Sequence, residues 1–487
     1  MLIGDLCDLV AHLGDPSQPD WVAVEQGARS ATIQTLSRGM IAAAHQFSSL
    51  DNGPIAISTD DVIEHMVATL GAIAAGRPAL LIDFRQPDLV HSATLARAAV
   101  VATVGRHAEG LPHFTLEQLV EGPGSDEEWS PRPFDASSIS TILMTSGTTG
   151  RPKLVLRSRL SDLHGALALR VADFDIRPGD RFWLPAPYAG SPFPGVVMAV
   201  LLARATLVVE RFEASGAGDF LKESKITGAY LGPTMIRLAS RHDGLLGPGW
   251  KQLTAILSGG EKLDDQTAQL MLDRFPDQLY VGYGCTEVTR ITEATSDDLR
   301  KRPGTVGRPL PLRQVRIAEM GTQSSVPVGV EGEIFVRGAD MYQGYLGEVP
   351  AGRWHRTGDL GYLDEDGYLF LTGRASSLVQ VGGNRVSTEE VVAVLRGHPS
   401  IADAALLAFD DQTWTTRLEA FVVPREANAL VSNDLDKWLR QRLSSYKIPR
   451  VIHFLESMPV DRASGKLSTQ ALRDLAEGQK STSGPSD

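Results

Sequence analysis

The sequence predicts an α/β protein with more than one domain, and three observations lead to that prediction. Strand-like and helix-like stretches alternate over Pro54–Val104, as they do in βαβ units with a mainly parallel sheet. The alternation returns over Arg181–Glu210, and again where the helical stretch Asp264–Arg274 precedes the apolar stretch Gln278–Gly282. At 487 residues the chain exceeds one ordinary core, so we expect two or more domains.

Each element of the first region has its own pattern. Pro54–Ser58 and Pro78–Ile82 are short apolar runs typical of buried strands, whereas Val62–Ala75 has helical spacing. Leu95–Val104 has helical spacing and then becomes apolar. From Val315 onward the pattern changes to short strands separated by Gly and Asp turns, such as DEDGY at 364–368.

Composition and charge exclude several classes of protein. The net charge of −12 argues against nucleic acid as the main partner. Cys7 and Cys285 are the only cysteines, which excludes a disulfide framework or a cysteine-rich zinc site. The longest apolar run, Gly195–Ala203, is far shorter than the ~20 residues of a membrane-spanning helix, and the N-terminus lacks a signal-peptide pattern. We therefore expect no membrane span and a cytoplasmic location.

The most informative segment is TSGTTGRPK, residues 145–153, which follows the apolar strand-like run Ile139–Met144. Hydroxyls, glycines and a lysine in one loop can wrap a polyphosphate, since glycine lets the backbone approach closely. Pro152 keeps the loop from continuing as a helix. The spacing is not that of a Walker A loop, and a flexible surface turn is the alternative. The candidate phosphate-binding residues are Thr145, Ser146, Gly147, Thr148, Thr149, Gly150 and Lys153.

Seven further motifs follow this loop. They are SGGEKL (258–263), YGCTE (283–287), GEIFVRGADMYQGY (332–345), WHRTGDLG (354–361), GRASSLVQVGGNRV (373–386), YKIP (446–449) and SGKL (464–467). In type and order, they and the loop resemble the motifs of the adenylate-forming superfamily, which includes acyl- and aryl-CoA ligases, adenylation domains of peptide synthetases, and luciferases. The resemblance covers residues 145–467, whereas the first 140 residues have only a compatible pattern.

The resemblance implies a division of the chain. Residues 1–373 would form a large domain that binds ATP and the acid, built from parallel-rich sheets with flanking helices and a distorted β-barrel-like portion. Residues 374–478 would form a small mobile α+β domain, hinged near Gly373–Ser377. Residues 479–487 have the composition of a disordered tail. The elements expected in the small domain are a helix, a strand and a helix, at Thr388–Leu395, Ala404–Val423 and Asp434–Leu443.

The resemblance also implies ATP and Mg²⁺ as cofactors and assigns residues to them. Glu287 would be the Mg²⁺ ligand, Thr286 would reach the α-phosphate, and Tyr283 would stack on adenine. Without that context, YGCTE would be a strand-to-helix turn with Thr286 as the N-cap. The other residues implied at the nucleotide are Gly259, Gly260 and Glu261 in the adenine slot, Asp359 and Arg374 at the ribose, Arg385 at the phosphates, and Gly284 in the ATP site without a finer role.

The resemblance makes Lys466 the catalytic lysine, together with Thr286 and Glu287. Lys466 lies in a glycine-containing loop near the C-terminus, so it can enter the site with the small domain and leave with it. An ammonium there can bridge the substrate carboxylate and the phosphate and stabilise the charge that develops. A solvated surface lysine is the alternative.

The segment LPAPYAGSPFPG, residues 184–195, corresponds to an acid-binding segment of the superfamily. Tyr188 lies where many acyl- and aryl-CoA ligases have His, and no Asp is nearby to pair with an α-ammonium. Because an unpaired buried ammonium is costly, we expect an acid with an uncharged acyl or aryl body. The candidate acid-pocket residues are Tyr188, Gly190, Ser191, Tyr230 and Gly282.

Two positions depart from the usual pattern of the superfamily, and a third position keeps it. Leu154 replaces the glycine that many members have after the loop lysine, and Ser376 replaces the usual hinge Asp or Lys. Gly383 is retained where relatives admit the pantetheine arm to the site, which keeps thioester formation available.

The predicted function is ATP-dependent activation of a small carboxylic acid to acyl-AMP, with release of pyrophosphate, followed by transfer to a thiol, by default that of CoA. The phosphopantetheine of a carrier protein is an alternative acceptor, favoured by the form of SGGEKL, and an amine is another. A P-loop kinase or ATPase lacks support because the Walker A pattern is missing. A non-catalytic nucleotide-binding protein is disfavoured because Lys466, Glu287 and Asp359 are all present.

Overall fold

A computed structural model describes residues 5–86, 88–121, 135–145, 153–171, 176–185, 192–243, 245–375, 378–381, 384–411, 415–425, 432–460 and 467–480. The α-helices are α1 Leu6–Leu13, α2 Ile33–Ser48, α3 Val62–Ala74, α4 Asp88–Ala98, α5 Leu116–Glu121, α6 Arg159–Val171, α7 Met198–Leu202, α8 Ala217–Glu223, α9 Pro233–Asp243, α10 Pro248–Lys251, α11 Asp265–Arg274, α12 Ser296–Lys301, α13 Thr388–Arg396, α14 Ser432–Arg440 and α15 Thr469–Lys480. A π-helical turn covers Phe193–Val197 and a 3₁₀ turn covers Ser445–Lys447.

The strands are β1 Val22–Gln26, β2 Arg29–Thr32, β3 Ile55–Ser58, β4 Ala79–Leu81, β5 Ala102–Gly105, β6 His113–Phe114, β7 Ile139–Thr145, β8 Lys153–Ser158, β9 Arg181–Trp183, β10 Thr206–Val208, β11 Gly228–Tyr230, β12 Ala255–Gly259, β13 Leu279–Cys285, β14 Thr289–Thr295, β15 Arg308–Pro309, β16 Arg313–Ala318, β17 Gly332–Gly338, β18 Gly344–Tyr345, β19 His355–Leu363, β20 Leu369–Arg374, β21 Leu378–Val381, β22 Asn384–Ser387, β23 Ile401–Asp411, β24 Thr415–Pro424 and β25 Val451–Phe454.

A nine-stranded sheet has the order β15-β14-β13-β12-β11-β9-β10-β1-β2. The six central strands, β13 to β1 in that order, run parallel to one another. The edge strands β2, β14 and β15 are antiparallel. The βαβ unit predicted over Arg181–Glu210 and the helix–strand pair predicted over 264–282 are therefore confirmed.

A seven-stranded sheet has the order β18-β8-β7-β4-β3-β5-β6. Strands β6, β5, β3, β4 and β7 are parallel, which confirms the alternation predicted over Pro54–Val104. Strand β7 then pairs antiparallel with β8, so that Thr145 lies opposite Lys153. The two ends of the TSGTTGRPK motif are thus held side by side at one edge of this sheet.

One hydrophobic cluster joins the two large sheets. It contains Ile57 of β3 and Leu207 of β10, together with Met40 of α2 and Leu70 of α3. Every residue of α3 is buried, including the polar Glu64, His65 and Thr69, so this helix is packed on all sides. The candidate active site is therefore supported by a hydrophobic core that lies between the two sheets.

The part expected to be barrel-like is an open sheet instead. Strands β16, β17, β19 and β20 form a four-stranded antiparallel sheet in the order β16-β17-β19-β20. Within the ranges that the structure describes, β16 and β20 do not pair with each other, so no closed barrel forms. The turn predicted at 364–368 is confirmed, since Asp364 N–H donates to the Tyr368 carbonyl between β19 and β20.

The single strand predicted over Ala404–Val423 is wrong. The structure has two antiparallel strands, β23 and β24, whose register runs from Ile401 opposite Pro424 to Asp411 opposite Thr415. The polar residues that end β23 interrupt the apolar run, and a hairpin lets both halves bury one face against the same helices. Strand β25 adds in parallel beside β24.

The end of the chain also differs from expectation. Helix α15 runs to Lys480 and so includes two residues that the sequence assigned to the tail. Among the described residues, the hydrophobic clusters built on 378–480 contain no member from before 374. The boundary at 373/374 stays a prediction. No helix within the described ranges combines the length and the apolarity that crossing a membrane requires.

His65, in the buried helix α3, makes stability depend on pH. Burial lowers the pKa of His65 from 6.5 to about 3. Below pH 6.5 the unfolded chain gains a proton at this histidine that the folded chain does not, so stability falls as pH decreases towards 3. We expect His65→Leu to reduce the stability lost between pH 7 and pH 5 by about 2 kcal/mol, measured by urea unfolding at both values.

The matched control is His242→Leu, since His242 is exposed on α9. It should leave the difference between pH 7 and pH 5 unchanged. An acid sensitivity equal to that of the wild type in His65→Leu would contradict the prediction.

Candidate active site

Several of the predicted residues meet at the carboxyl ends of two neighbouring parallel strands. Strand β12 ends at Gly259, and β13 ends at Cys285 and leads into a turn that contains Thr286 and Glu287. Ligands commonly bind at this edge of an open α/β sheet. The turn continues into β14, so YGCTE joins two strands and the strand-to-helix alternative is wrong.

Asp359 is buried and held from two sides. Its Oδ2 accepts a hydrogen bond of 2.7 Å from the Tyr283 hydroxyl, and its Oδ1 lies 2.9 Å from Nε of Arg374. Arg374 lies directly opposite Asp359 on β20, and its side chain is 63% exposed, whereas Asp359 is 7% exposed. Burial, followed by the charge of Asp359, raises the pKa of Tyr283, so this hydroxyl stays a donor. The carboxylate is thereby fixed beside β13.

Glu287 lies close to the lysine of the TSGTTGRPK motif. Its Oε1 accepts a 2.7 Å hydrogen bond from the Tyr345 hydroxyl. The ammonium of Lys153 lies 4.2 Å from the centre of the Tyr345 ring and 3.9 Å from Oε1 of Glu348. Burial, and then the hydrogen bond to Glu287, raises the pKa of Tyr345. One aromatic ring thus bridges the lysine and the acid that the sequence assigned to phosphate and metal.

The ligand atoms of Cys285, Glu287 and His355 all lie within 4.8 Å of one another. Mg²⁺ prefers oxygen ligands, and of these three groups only the Glu287 carboxylate supplies them. Burial raises the pKa of Cys285, which keeps it a thiol, and burial lowers the pKa of His355, which keeps it neutral. The donor set fits Mg²⁺ held by Glu287 with further oxygens from a phosphate substrate.

A buried arginine holds the turn that carries Thr286. The Arg157 side chain is fully buried, and its Nε lies 2.7 Å from Oδ1 of Asp162, also fully buried. Nη1 of Arg157 donates to the Thr286 carbonyl at 3.4 Å and to the Asp340 carbonyl at 3.2 Å. Asp162 also accepts hydrogen bonds from Ser140 and Thr141 of β7. Strand β8, helix α6 and the turn after β13 are thereby joined.

The Asp340 carboxylate completes this support. It accepts a 2.5 Å hydrogen bond from the Thr289 hydroxyl and pairs with the buried Arg313. Thr289 has φ of 41°, a conformation that is uncommon for a residue other than glycine. The contact with Asp340 thus holds the first residue of β14 just after Glu287.

The predicted adenine-slot glycines adjoin the predicted acid pocket. Gly260 follows β12 with φ of +83°, and a Cβ built on it would lie 3.1 Å from the Tyr230 hydroxyl. A Cβ on Gly259 would lie 2.9 Å from the Gly282 carbonyl oxygen. Glu261 faces Thr234, whose hydroxyl donates to its carboxylate at 2.7 Å. Tyr230, Gly259, Gly260 and Gly282 therefore lie next to one another.

Sequence reasoning did not single out four residues that the structure brings to the site. Tyr345 and His355 lie inside motifs that were recognised as a whole without a role for each side chain. Arg157 lies four residues beyond Lys153 in a strand, where nothing distinguishes it. Arg290, three residues after Glu287, packs against Gly282, and only the sheet register brings the two together.

The structure does not describe the side chains of the remaining predicted residues. Arg385 lies on β22, opposite Gln380, and only its backbone is described. The predicted residues that lie outside the described ranges are Ser146, Gly147, Thr148, Thr149, Gly150, Tyr188, Gly190, Ser191, Ser376, Gly383 and Lys466.

Lys153, Glu287 and Asp359 thus come from elements of three different sheets, and comparison with known proteins identifies the family. The AMP-binding enzyme family matches residues 15–346, and the AMP-binding enzyme C-terminal domain matches residues 390–466. The chain belongs to the AMP-binding enzyme family. The prediction of an adenylate-forming enzyme is confirmed, and with it the class of AMP-forming acid–thiol ligases.

Two relatives match almost the whole chain. An uncharacterised acyl–CoA ligase of Bacillus subtilis, YhfT, is 27% identical and covers 95% of this chain and 96% of its own length. A 2-succinylbenzoate–CoA ligase of Bacillus licheniformis is also 27% identical, over 93% of this chain and 97% of its own length.

Solved structures share the fold. ATP-bound MatB from Rhodopseudomonas palustris has a TM-score of 0.86 at 22% identity, covering 98% of this chain and 99% of its own. The o-succinylbenzoate CoA synthetase of Bacillus subtilis with its acyl-adenylate has a TM-score of 0.82 at 22% identity, covering 97% and 98%. The amide bond synthetase McbA of Marinactinospora thermotolerans has a TM-score of 0.82 at 23% identity, covering 96% and 99%.

We expect Arg157→Met to destabilise the protein by about 3–5 kcal/mol, because the substitution leaves Asp162 as a buried charge without its cation. Urea unfolding at neutral pH measures the change. The double variant Arg157→Met/Asp162→Leu should be more stable than the single variant, since neither charge is then buried alone. A double variant no more stable than Arg157→Met would contradict this account of the pair.

Proposed function

We propose that this protein activates a carboxylic acid with ATP, forming an acyl-adenylate and pyrophosphate, and then transfers the acyl group to the thiol of CoA. The observation that carries the proposal is the contact of Tyr345 with both Lys153 and Glu287, together with a buried Asp359 that accepts a hydrogen bond from Tyr283 of β13. That set offers a cation and a metal-binding carboxylate for phosphates, and a second carboxylate for hydroxyl groups.

The buried Asp359 is the proposed ribose ligand. A carboxylate can accept hydrogen bonds from both ribose hydroxyls, and the exposed Arg374 pairs with Asp359 from the solvent side. The adenine would lie against Tyr283 and the glycines after β12. In this proposal the hydroxyls of Ser146, Thr148 and Thr149 hold the β- and γ-phosphates together with Lys153.

When bound, Mg²⁺ would supply positive charge to the phosphate oxygens, and Glu287 is the residue that would hold it. Tyr345 donates to one carboxylate oxygen of Glu287, which leaves lone pairs of the second oxygen for a metal. Thr286, on the same turn, would reach the α-phosphate.

In the first half-reaction, a carboxylate oxygen of the acid attacks the α-phosphorus, and the bond from phosphorus to the pyrophosphate oxygen breaks. The charge on the α-phosphate then needs a cation, and we assign Lys466 to it. Lys466 would be carried by a small domain of residues 374–478 that moves relative to residues 1–373. Arg385 would add a phosphate contact in one arrangement of that domain.

In the second half-reaction, a nucleophile attacks the acyl carbon and AMP leaves. CoA is favoured as the nucleophile because the two relatives described above are named CoA ligases and match nearly the whole chain. An amine is the second candidate, supported by the likeness to an amide bond synthetase over nearly the whole chain. Gly383 would line the channel for the acceptor, and Ser376 would act at the hinge. A carrier-protein thiol is the third candidate.

The proposed location is the cytoplasm, where ATP and CoA are both available. The two cysteines are unpaired in the structure, as they would be in a reducing compartment.

The test is pyrophosphate release with ATP, Mg²⁺ and a panel of fatty, aryl, dicarboxylic and amino acids, with products identified by mass spectrometry. Each acid is run alone, with CoA and with a simple amine. We expect AMP and an acyl-CoA, and we expect Lys466→Ala to lower the rate of pyrophosphate release by at least a hundredfold.

The outcomes separate the candidates. AMP together with an amide would show that the acceptor is an amine. ADP as the product would exclude adenylation. Lys153→Ala is the companion variant, since it should weaken ATP binding, whereas Lys466→Ala should leave ATP binding nearly unchanged. A Lys466→Ala enzyme with unaltered turnover would show that the assignment of that lysine is wrong.

The ribose role of Asp359 predicts a loss that depends on the nucleotide. Asp359→Asn should weaken ATP binding by about 10- to 100-fold, the range for hydrogen bonds to a charged group. The wild type should bind ATP more tightly than 2′-deoxy-ATP, and the variant should discriminate less between them. Binding is measured by calorimetry. A variant that keeps the full preference for ATP would place the ribose hydroxyls on another residue.

A further inference from the structure

Arg290 is a buried cation at the wall of the acid pocket. It lies in β14 and is 8% exposed. A Cβ built on Gly282 would clash with the Arg290 guanidinium carbon, so the guanidinium lies directly against the backbone of that glycine. Only a residue without a side chain allows this approach. A pocket that merely needed an apolar wall at Gly282 would not require an arginine there.

Arg290 and Tyr230 flank one pair of glycines. Gly282, against which Arg290 packs, lies opposite Gly259 on the neighbouring strand, and a Cβ built on Gly259 would lie 3.6 Å from the Tyr230 hydroxyl. Tyr230, Gly259, Gly282 and Arg290 therefore lie on four neighbouring strands, β11 to β14, beside the predicted acid pocket.

Glu293 pairs with this guanidinium. Its Oε2 lies 2.7 Å from Nη2 of Arg290, whereas Nε of Arg290 makes no hydrogen bond within the described part of the chain. Arg181 shows the contrast, since its Nη1 and Nη2 bind both oxygens of Glu25 and its Nε donates to the Ser224 carbonyl at 2.6 Å. A buried donor without an acceptor is costly, so Nε of Arg290 is available for a further acceptor.

The charge of Arg290 is paired with Glu293 and that of Arg313 with Asp340, so a further acceptor would bind through a donor of the guanidinium that Glu293 does not use. A guanidinium has five donors and can serve two carboxylates at once. A carboxylate that accepts from Nε, beside the contact of Nη2 with Glu293, is a ligand of this kind.

We infer that Arg290 binds a second carboxylate of the acid substrate, so that the acid activated by this enzyme is a dicarboxylic acid. The inference rests on the proposed function and names its substrate class. One carboxylate would react with ATP near Thr286, and the other would bind at the pocket wall formed by Gly282 and Tyr230. In this role Arg290 determines specificity and takes no part in the chemical step.

The inference departs from the expectation of an uncharged acyl or aryl body. That expectation rested on the absence of an Asp near Tyr188, which speaks against an ammonium group on the substrate. The absence of a carboxylate says nothing against an anionic group. The structure adds the cation that an anionic group would need.

The experiment compares diacids with their own monoesters. Aliphatic diacids of three to six carbons and the benzene dicarboxylic acids are each paired with the monomethyl ester, which keeps one reactive carboxylate and removes the other. We expect the wild type to favour at least one diacid over its ester by tenfold or more in kcat/KM for pyrophosphate release. Arg290→Met should abolish that preference, mainly by raising KM for the diacid, with KM for ATP unchanged.

Two further variants distinguish a loss of diacid binding from a loss of folding. Arg290→Lys keeps the charge and should keep part of the preference, and Arg290→Met/Glu293→Gln removes the buried pair together. The matched control is Arg316→Met, because Arg316 also has buried Nε and Nη2 atoms without hydrogen bonds but lies over Trp354 in the four-stranded sheet. The control should retain the diacid preference of the wild type.

Three outcomes would contradict the inference. A wild type that uses monoesters or other neutral acids as well as diacids overturns the inference and leaves the proposed function standing. An Arg290→Met enzyme that lowers activity on diacid and ester equally assigns Arg290 a structural role and overturns the inference. If no acid in either series or in the wider panel releases pyrophosphate, the inference and the proposed function fail together.

Discussion

The ion pair between Arg157 and Asp162 is the interaction on which the site depends. Both side chains are fully buried, so neither charge is tolerable without the other. From this pair, hydrogen bonds run to Ser140 and Thr141 in one sheet, to the Thr286 carbonyl at the edge of the other, and to the Asp340 carbonyl. A pair this rigid fixes where the two large sheets meet, and the candidate active site lies along that junction.

The residues of the candidate site come from short segments that lie far apart in the chain. Lys153 comes from β8, Glu287 from the turn after β13, Tyr345 from β18 and Asp359 from β19. None of these elements could hold its side chain in place alone. Buried hydrogen bonds, such as that from Tyr283 to Asp359, transfer the rigidity of the core to the functional groups. The contact between Gly282 and Arg290 likewise depends on pairing, since the two residues lie on adjacent antiparallel strands.

Patterns within one segment were predicted well, and patterns that depend on pairing were not. The alternation over Pro54–Val104 and the strand at Ile139–Met144 follow from hydrophobic period alone, and both are present. The run over Ala404–Val423 was taken as one strand, because an apolar run does not show where a chain reverses. The barrel-like portion proved to be an open sheet, because closure depends on whether edge strands meet.

The family, the α/β class and the candidate nucleotide residues could all be predicted from the sequence, because short motifs and local hydrophobic patterns carry that information. The groups that support those residues could be identified only in the folded structure. Arg157, His355 and Arg290 have no local signature, since each acts on a partner distant in the chain or across a strand pair. The position of Arg290 is decided in this second way, because only the pairing of β13 with β14 brings its guanidinium against Gly282.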